Sequence, residues 1–372
     1  MKFQVEKTSL VQVLQRIQSA TEKKSTIPIL NNCLIKTSED GTVEFSATDL
    51  ELNLWTKMAA MVKTEGKTTA SARKLLEIVR EIPQDKISLE ATANGRLVIK
   101  AGRSKFELST IPPEDFPNIN LYQDLPLVKC DTAVLRRALQ KTIYCIPMEE
   151  ETFTAPGLLW HSTEEGDYRF VSSDGHRLAY YEVPQTAFPG LEIPRQIIIP
   201  RKAVQEMLRL LEKETEASMG ADERSLVLRT PSTFLSTLLL DAEFPEYEMI
   251  IPAERPFGIS VPAEVLYPAL KRVAVVTDLS FRHVKFNISK NSLELESGNP
   301  ELGNARDIID IEYDGEDFSV AFNVKYVLDC ISVMESSSIR FEWVDQLHGG
   351  IFIAPEDPGY LSLIMPMVVE GQ

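Results

Sequence analysis

Six segments of the chain carry apolar residues three and four positions apart, with polar residues between them. This spacing is typical of amphipathic helices that bury one face. Between these segments, apolar and polar residues alternate over short runs such as 42–47 and 96–100, which predicts antiparallel strands joined by hairpins. The helices are predicted to begin near Ser9, Ser71, Thr132, Pro200, Ala263 and Asn323. The pattern indicates an α+β protein in which sheet outweighs helix.

A turn-and-strand signature recurs three times along the chain. It reads IPPEDFPNI over 111–119, LLLDAEFPEY over 238–247 and YLSLIMPM over 360–367. Each copy closes a block that opened with a predicted helix, so the sequence indicates internal repetition. A length of 372 residues fits two or three domains, and the repeat selects three. We predict domains over 1–125, 126–254 and 255–372, each built from two half-units of strand, helix and further strands.

The net charge of −16 argues at first sight against nucleic acid, because Lys and Arg drive phosphate binding. The distribution of charge is uneven, however. Lys and Arg outnumber Asp and Glu on the six predicted helices, so the acidic excess lies elsewhere. If the helices share one face, that face is electropositive. Alternatively, exposed helix faces carry Lys and Arg for solubility and helix propensity, and composition alone leaves both interpretations open.

The N-terminus lacks the apolar region of a signal peptide, and no run approaches the about 18 apolar residues of a membrane span. We therefore expect a soluble cytoplasmic protein without membrane contact. The cysteines show no CxxC pairing and no spacing shared with histidines, so we expect buried reduced thiols and neither zinc nor a disulfide framework. These cysteines are Cys33, Cys130, Cys145 and Cys330.

Two carboxylate pairs are candidates for metal-dependent chemistry. A nucleotidyltransferase needs neighbouring carboxylates to hold two metal ions, and Asp307 with Asp310, or Asp314 with Asp317, could supply them. We interpret both pairs as solvated residues of an acidic loop between or beside strands.

Nucleophilic and nucleotide-dependent chemistry are also poorly supported. Ser173, Asp174 and His176 lie too close along the chain to reach the geometry of a catalytic triad. Neither GxxxxGK[ST] nor GxGxxG occurs, so nucleotide binding is not expected. The sequence therefore predicts a protein that is not an enzyme and needs no cofactor.

Several motifs, taken in order along the repeat, resemble one family. They are the opening MKF, IPILNN at 27–32, ATDLEL at 47–52, GRSKFELST running into DFPN, SSDGHRLA at 172–179, IIIPRKAV at 197–204, EFPEY, FNVKYVLD at 322–329 and the terminal MPM at 365–367. Along nearly its whole length the chain resembles the bacterial sliding clamps, the beta subunits of DNA polymerase III. Each motif alone is weak, but their order on a threefold repeat is specific.

The resemblance implies a head-to-tail dimeric ring of six similar domains, with helices lining a central hole and antiparallel sheets outside. Such a ring is a processivity factor that encircles duplex DNA without sequence preference. Its implied partners are the DNA polymerase III catalytic subunit, the clamp loader, and other polymerases and repair proteins that bind through short linear motifs. Polymerase activity would belong to the holoenzyme. An acidic repeat scaffold that binds protein peptides without encircling DNA is the alternative.

The resemblance also assigns residues to two surfaces. Candidates for phosphate contact, on or beside the predicted inner helices, are Lys24, Arg73, Arg80, Arg137, Lys141, Arg201 and Lys202. The dimer seam would join an edge strand holding Phe106 and Leu108 to the helix end at Val275 and Val276 of the other subunit; alternatively, these four are ordinary core residues.

A pocket for partner peptides is implied as well. Its residues would be Gly175, His176, Arg177, Leu178, Pro245, Met249, Ile250, Asn323, Tyr326, Met365, Pro366 and Met367. Without the resemblance, Met365 and Met367 would be core residues of a last strand. The sequence departs from the family at Met249, where some relatives have Arg, and at the tail 368–372, where many relatives end with a basic residue and a leucine. We therefore expect a preference shifted towards apolar anchors.

Overall fold

The computed structural model describes residues 1–21, 26–148, 156–277, 282–299 and 301–368. Within these residues the helices are α1 (Lys7–Ala20), α2 (Ala72–Glu81), α3 (Thr132–Thr142), α4 (Arg201–Leu211), α5 (Ala263–Val273) and α6 (Val324–Ser332). Each begins within two residues of its predicted start, so the periodicity of apolar residues located all six. Across the described ranges, none of these helices has the length and apolar character that crossing a bilayer requires.

Strands account for most of the other residues that the structure describes. The first strands are β1 (Lys2–Glu6), β2 (Asn32–Ser38), β3 (Thr42–Thr48), β4 (Leu52–Ala59), β5 (Met61–Thr64), β6 (Gly66–Ser71), β7 (Lys86–Thr92), β8 (Arg96–Ala101), β9 (Ser104–Ser109) and β10 (Val128–Cys130). The middle strands are β11 (Gly157–Ser162), β12 (Tyr168–Ser173), β13 (Arg177–Val183), β14 (Gln196–Pro200), β15 (Ala217–Ala221), β16 (Ser225–Arg229) and β17 (Thr233–Leu238). The last strands are β18 (Phe257–Pro262), β19 (His283–Ser289), β20 (Ser292–Asn299), β21 (Gly303–Asp310), β22 (Phe318–Asn323), β23 (Ser338–Trp343), β24 (Gly350–Ile353) and β25 (Tyr360–Ile364).

Short polar side chains fix the start of several helices. Asp131 accepts hydrogen bonds from the backbone N–H groups of Ala133 (3.0 Å) and Val134 (3.1 Å) before α3. Asn323 accepts one from the N–H of Lys325 at 3.0 Å before α6. These bonds satisfy N–H groups that have no partner inside the helix. The sequence therefore sets the helix boundaries through local chemistry as well as through apolar spacing.

The N-terminal compact unit comprises residues 1–136, 186–194 and 202–240. One of its sheets has five strands in the order β5-β1-β7-β8-β9, and the other has eight in the order β10-β15-β16-β17-β4-β3-β2-β6. Helix α1 packs against α2 and against strands β3 and β4. The buried face of α1 consists of residues at helical spacing, namely Leu10, Val13, Leu14, Ile17 and Ala20. Strand β9 lies at an edge of the five-stranded sheet.

The C-terminal compact unit comprises the described residues of 137–185, 195–201 and 241–372. Its eight-stranded sheet has the order β14-β11-β12-β13-β25-β24-β23-β18, and its four-stranded sheet has the order β21-β20-β19-β22. Helix α5 packs against α6 and against β20 and β21. Strand β21 is an edge strand.

Both eight-stranded sheets join strands from distant parts of the chain. In the N-terminal unit β17 pairs antiparallel with β4, and in the C-terminal unit β13 pairs antiparallel with β25. Strands from the middle third of the chain therefore occur in each unit. The domain boundaries at residues 125 and 254 stay predictions.

Aromatic side chains fill the core of the C-terminal unit. The ring of Phe286 is buried, and its centroid lies 5.6 Å from that of Phe322, 5.7 Å from that of Phe341 and 6.4 Å from that of Phe352. These four residues come from β19, β22, β23 and β24, so a single cluster ties both sheets of the unit together. Close packing of this kind leaves little room for relaxation after truncation.

We expect Phe286→Ala to lower the free energy of unfolding by about 3–5 kcal/mol, because it leaves a cavity among four rings. Urea denaturation followed by circular dichroism would measure the loss. Phe257→Ala is the matched control, since that ring is 45 % exposed and its removal opens no closed cavity. An equal loss in both variants would contradict this description of the core.

Candidate functional site

A tight turn between β12 and β13 presents His176. The Asp174 carboxylate accepts hydrogen bonds from the backbone N–H of His176 (3.1 Å) and of Arg177 (3.0 Å). Gly175 has a φ of +81°, a left-handed conformation that glycine adopts without strain. The sequence DGHR therefore builds an Asx-type turn that leaves the imidazole exposed.

Arg177 ties this turn to helix α6. Its guanidinium is almost fully buried and donates to the carboxylates of Asp174 (3.0 Å) and Asp329 (2.7 Å) and to the carbonyl of Tyr144 (2.8 Å). It also lies over the ring of Tyr326, 4.2 Å from the centroid. A buried charge needs such partners to offset its desolvation. Arg177 thus supports the site from beneath instead of offering a free cation to a ligand.

The C-terminal segment runs beside this turn. After β25 ends, the backbone N–H of Met365 donates to the carbonyl of His176 at 2.9 Å, and that of Met367 donates to the carbonyl of Ala321 at 2.8 Å. The rings of His176 and Tyr326 stack with centroids 6.4 Å apart. Both methionines are partly exposed and lie beyond the strand, so the interpretation of them as core residues of a last strand is wrong.

Three further residues of the predicted pocket have recognisable local roles. Asn323 caps α6, as described above, and Leu178 is fully buried in β13. Pro366 separates the two methionines and holds this stretch out of regular strand geometry, because proline has no N–H for a ladder.

The remaining pocket residues lie on or beside a 3₁₀ turn at Tyr247–Ile250. Met249 is 79 % exposed, and Ile250 is also exposed. Pro245 and Met249 line a cleft of about 620 Å³ beside Tyr247. This turn therefore exposes apolar side chains to solvent, which is typical of a surface that binds an apolar group of a ligand.

A polar network fixes that turn from below. The Tyr247 hydroxyl lies 2.8 Å from a ring nitrogen of His161 and accepts a hydrogen bond from Arg169 at 3.0 Å. Arg169 also pairs with Glu182 (2.6 Å) and Glu248 (2.9 Å). Burial raises the pKa of the Tyr247 phenol to about 12, so the hydroxyl keeps its proton. The contacts of the predicted pocket residues thus place them in two groups, one around Tyr326 and one around Tyr247.

Most of the predicted DNA-contacting residues lie on the surface, several of them with partners. Arg73 pairs with Glu77 at 2.9 Å, Arg137 pairs with Glu335 at 3.0 Å, and Lys202 pairs with Asp49. Arg80 is exposed in the last turn of α2, and Arg201 is partly buried and donates to the carbonyls of Ile143 and Ile146. Lys24 lies outside the described residues.

Lys141 does not fit the prediction. Its side chain is only 2 % exposed, and its ammonium pairs with the Asp357 carboxylate and donates to the Val333 carbonyl at 3.0 Å. A buried and paired ammonium cannot reach a phosphate in solution. Lys141 is therefore a structural residue, and the assignment of it to DNA contact is wrong.

The predicted seam residues are surface residues of two kinds of element. Phe106, on the edge strand β9, is 36 % exposed, and Val275, in the short turn after α5, is 77 % exposed. Leu108 and Val276 are partly exposed. The alternative that these four are ordinary core residues is therefore wrong, and the edge position predicted for Phe106 and Leu108 is confirmed.

Comparison with known proteins identifies the family. Sequence profiles described as DNA polymerase III beta subunit match in three consecutive parts: the N-terminal domain over residues 1–120, the central domain over 129–246 and the C-terminal domain over 248–368. The chain belongs to the DNA polymerase III beta subunit family. It has the three-domain clamp fold, and the family resemblance inferred from the motifs is confirmed.

Individual relatives cover nearly the whole chain. The beta sliding clamp of Caulobacter vibrioides is 32 % identical over 99 % of this chain and all of the relative, and that of Escherichia coli strain K12 is 30 % identical with the same coverage. A crystal structure of the Caulobacter crescentus beta sliding clamp superposes with a TM-score of 0.93 at 33 % identity, covering 99 % of each chain. A sliding clamp from Bartonella birtlesii bound to griselimycin superposes with a TM-score of 0.92 at 28 % identity, covering 99 % of this chain and all of the other.

The residues offered for metal-dependent chemistry occupy structural positions in this clamp fold. Asp307 and Asp310 lie on strand β21, so their placement in a loop was wrong. Asp307 accepts a hydrogen bond from Arg272 of α5 at 2.6 Å. Asp314 and Asp317 lie in the loop before β22. In the described part of the chain, no three His, Cys, Asp or Glu residues cluster as metal ligands would.

The other reactive groups are occupied or shielded. The Ser173 hydroxyl donates to the carbonyl of Arg177 at 3.0 Å, while the His176 ring stacks on Tyr326, so these side chains form no triad. Burial raises the pKa of the thiols of Cys33 and Cys330 to about 12. The four cysteines are free, and Cys130 is the one that is only partly buried. Such thiols are poor nucleophiles.

The sequence did not single out several residues that shape these surfaces. Asp329 and Tyr144 hold Arg177, while His161 and Arg169 hold Tyr247. Asp329 falls within the FNVKYVLD motif, but the other three stand outside every motif used. Each of them meets the residue that it holds across 33 to 152 positions of the chain, so tertiary packing brings them to the site.

We expect Lys141→Met to lower the free energy of unfolding by about 3–5 kcal/mol, because it leaves the Asp357 carboxylate buried without its cation. The double variant Lys141→Met/Asp357→Leu should recover most of this loss in the same thermal or urea denaturation. Arg137→Met is the control, since its exposed pair is worth about 0–1 kcal/mol. Normal stability combined with weakened DNA binding in Lys141→Met would restore the phosphate-contact assignment.

Proposed function

We propose that the chain is a processivity clamp: two copies close head to tail around duplex DNA and tether the replicative polymerase. The observation that carries this proposal is the match of all three clamp domains, in order, along nearly the entire chain. A ring that encircles DNA turns repeated polymerase binding into an intramolecular event at high effective concentration. The protein then performs no chemistry of its own, and polymerase activity belongs to the assembled holoenzyme in the cytoplasm.

Exposed apolar residues at two different elements support a head-to-tail seam. The edge strand β9 offers Phe106 and Leu108, and the end of α5 offers Val275 and Val276. A contact between two different patches is heterologous, so it either closes into a ring or continues as a filament. With three domains in each chain, closure of two copies gives six domains around one hole.

Contacts with DNA in this proposal are made to phosphates and not to bases. Arg73 and Arg80 on α2, Arg137 on α3, and Arg201 and Lys202 on α4 supply cations, together with Lys24. Several of the described cations are paired with carboxylates, which suits weak, exchangeable contacts with phosphates. Base-specific hydrogen bonds would stall sliding and are not expected. This binding should weaken as ionic strength rises.

The partner-peptide site is proposed at the surface around Tyr326 and the two C-terminal methionines, with the Tyr247 turn contributing Met249 and Ile250. Unbranched, polarisable methionine side chains repack around different apolar anchors, which suits a site with several partners. These partners are the polymerase catalytic subunit, the clamp loader, and other polymerases and repair proteins. Met249 and Val368 are both exposed and apolar, so the preferred motifs should be more apolar than those of family members with a basic residue at these positions.

We expect the protein, loaded onto nicked circular DNA by a clamp loader, to be retained on the circle and lost when the circle is cut. A closed protein ring cannot slide off circular DNA, because the circle has no end until it is cut. Gel filtration of the DNA would separate bound from free protein, and light scattering should give the mass of two 41.8 kDa chains.

Phe106→Asp is the matched control, because a charge at the seam should leave a monomer that is retained on neither DNA. Retention of the unmodified protein after linearisation would mean direct binding without encirclement. A monomer that never loads would favour the acidic peptide-binding scaffold.

We expect Met365→Ala/Met367→Ala to lower the affinity for a peptide from the polymerase catalytic subunit by roughly ten- to a hundredfold, because the truncation removes two apolar contacts. Fluorescence anisotropy of the labelled peptide would measure this. Met61→Ala, an exposed methionine on β5, is the control and should leave the affinity unchanged. Unchanged affinity in the double variant would remove these methionines from the site.

A further inference from the structure

The C-terminal unit has a second apolar cleft, distinct from the surfaces discussed above. It has a volume of about 400 Å³ and is lined by residues of β18, of the loop before β22, and of the hairpin between β23 and β24. Trp343 forms its floor and is almost fully buried. The Trp343 ring stacks with Phe318 at a centroid distance of 4.8 Å and with Phe257 at 6.1 Å.

Large apolar side chains remain open to solvent around this floor. Phe257 is 45 % exposed, and Leu347 at the tip of the β23–β24 hairpin is 81 % exposed. Contiguous exposed apolar residues at the mouth of a cleft are typical of interaction sites, whereas scattered single residues are not. The cleft therefore offers a preformed apolar binding surface.

The walls of the cleft are held in place by local bonds. The Tyr313 hydroxyl donates to the carbonyl of Glu316 at 2.7 Å, and a side chain at Gly315 would collide with the Tyr313 ring. On the other wall, the Asp345 carboxylate accepts from the N–H of Leu347 (2.8 Å) and from that of His348 (2.9 Å). A binding cleft that is already in its bound conformation loses less conformational entropy when a ligand binds.

The rim is acidic. Glu316, Asp317 and Asp345 are among the lining residues, and the described residues that line the cleft include no Lys, Arg or His. Glu316 and Asp317 are exposed. The nearby bases already have acidic neighbours: Arg255, just before β18, and Arg340 on β23 pair with Glu342, and a ring nitrogen of His348 lies 2.8 Å from the Asp345 carboxylate. The field at the mouth therefore favours a cation and opposes nucleic acid.

We propose that this cleft, which we name the Trp343 cleft, docks a protein segment in which lysine or arginine side chains flank an aliphatic or aromatic anchor. The anchor packs between the exposed side chains of Phe257 and Leu347, above Trp343, and the flanking cations face Glu316 and Asp317. The proposal goes beyond the clamp function and does not depend on DNA encirclement. It adds a second point of contact for partners, separate from the C-terminal methionines.

The test uses the full-length protein and a labelled short peptide that alternates lysine with leucine, with a peptide that alternates glutamate with leucine as the ligand control. Anisotropy titrations at low salt should show binding of the basic peptide only. Leu347→Ser should weaken it by about tenfold, as expected for loss of one apolar contact. Glu316→Gln/Asp317→Asn should weaken it by about threefold, as expected for exposed charge pairs.

Two control variants separate this cleft from general acidity and from the other site. Glu164→Gln/Glu165→Gln removes the same charge from the exposed loop between β11 and β12 and should bind normally. Met365→Ala/Met367→Ala should also bind normally. Equal affinity in Leu347→Ser and the unmodified protein, or equal weakening in the two charge variants, would overturn the proposal without touching the clamp function.

Discussion

Backbone pairing between strands from distant parts of the chain is the constraint on which both compact units depend. In one sheet β4 pairs antiparallel with β17, and in the other β13 pairs antiparallel with β25. Without these pairs each eight-stranded sheet would break into two short sheets with exposed edges. Because the paired strands are far apart in sequence, a large loop-closure entropy must be overcome before the pairs form.

Arg177 shows how the sheets determine the candidate site. Its guanidinium is satisfied by the turn before β13, by α6 and by the carbonyl of Tyr144, which follows α3. The contacts with Asp329 and Tyr144 require that these elements are already packed, so the exposed ring of His176 and the partly buried ring of Tyr326 rest on a rigid base. Beside this rigid base, the unbranched side chains of Met365 and Met367 can adapt to different ligands while the backbone stays in place.

Local patterns in the sequence were enough for the helices and the family, and they failed where distant residues decide. Apolar spacing located α1 to α6, whereas the edge position of Phe106 came from the family resemblance. Lys141 looked like a surface cation because it follows an amphipathic pattern, yet Asp357 meets it from more than two hundred positions away. Likewise, nothing in the alternation around Met365 shows that β25 stops one residue earlier.

The edge strand β9 has two chemically different faces. Lys105 and Glu107 lie on one face and pair at 2.6 Å, while alternation puts Phe106 and Leu108 on the other. A strand that adds to this edge must therefore match a charged row and an apolar row at the same time. A purely hydrophobic strand cannot match the charged row. The charged face therefore opposes non-specific strand addition, and hence aggregation, at an edge that is still unpaired.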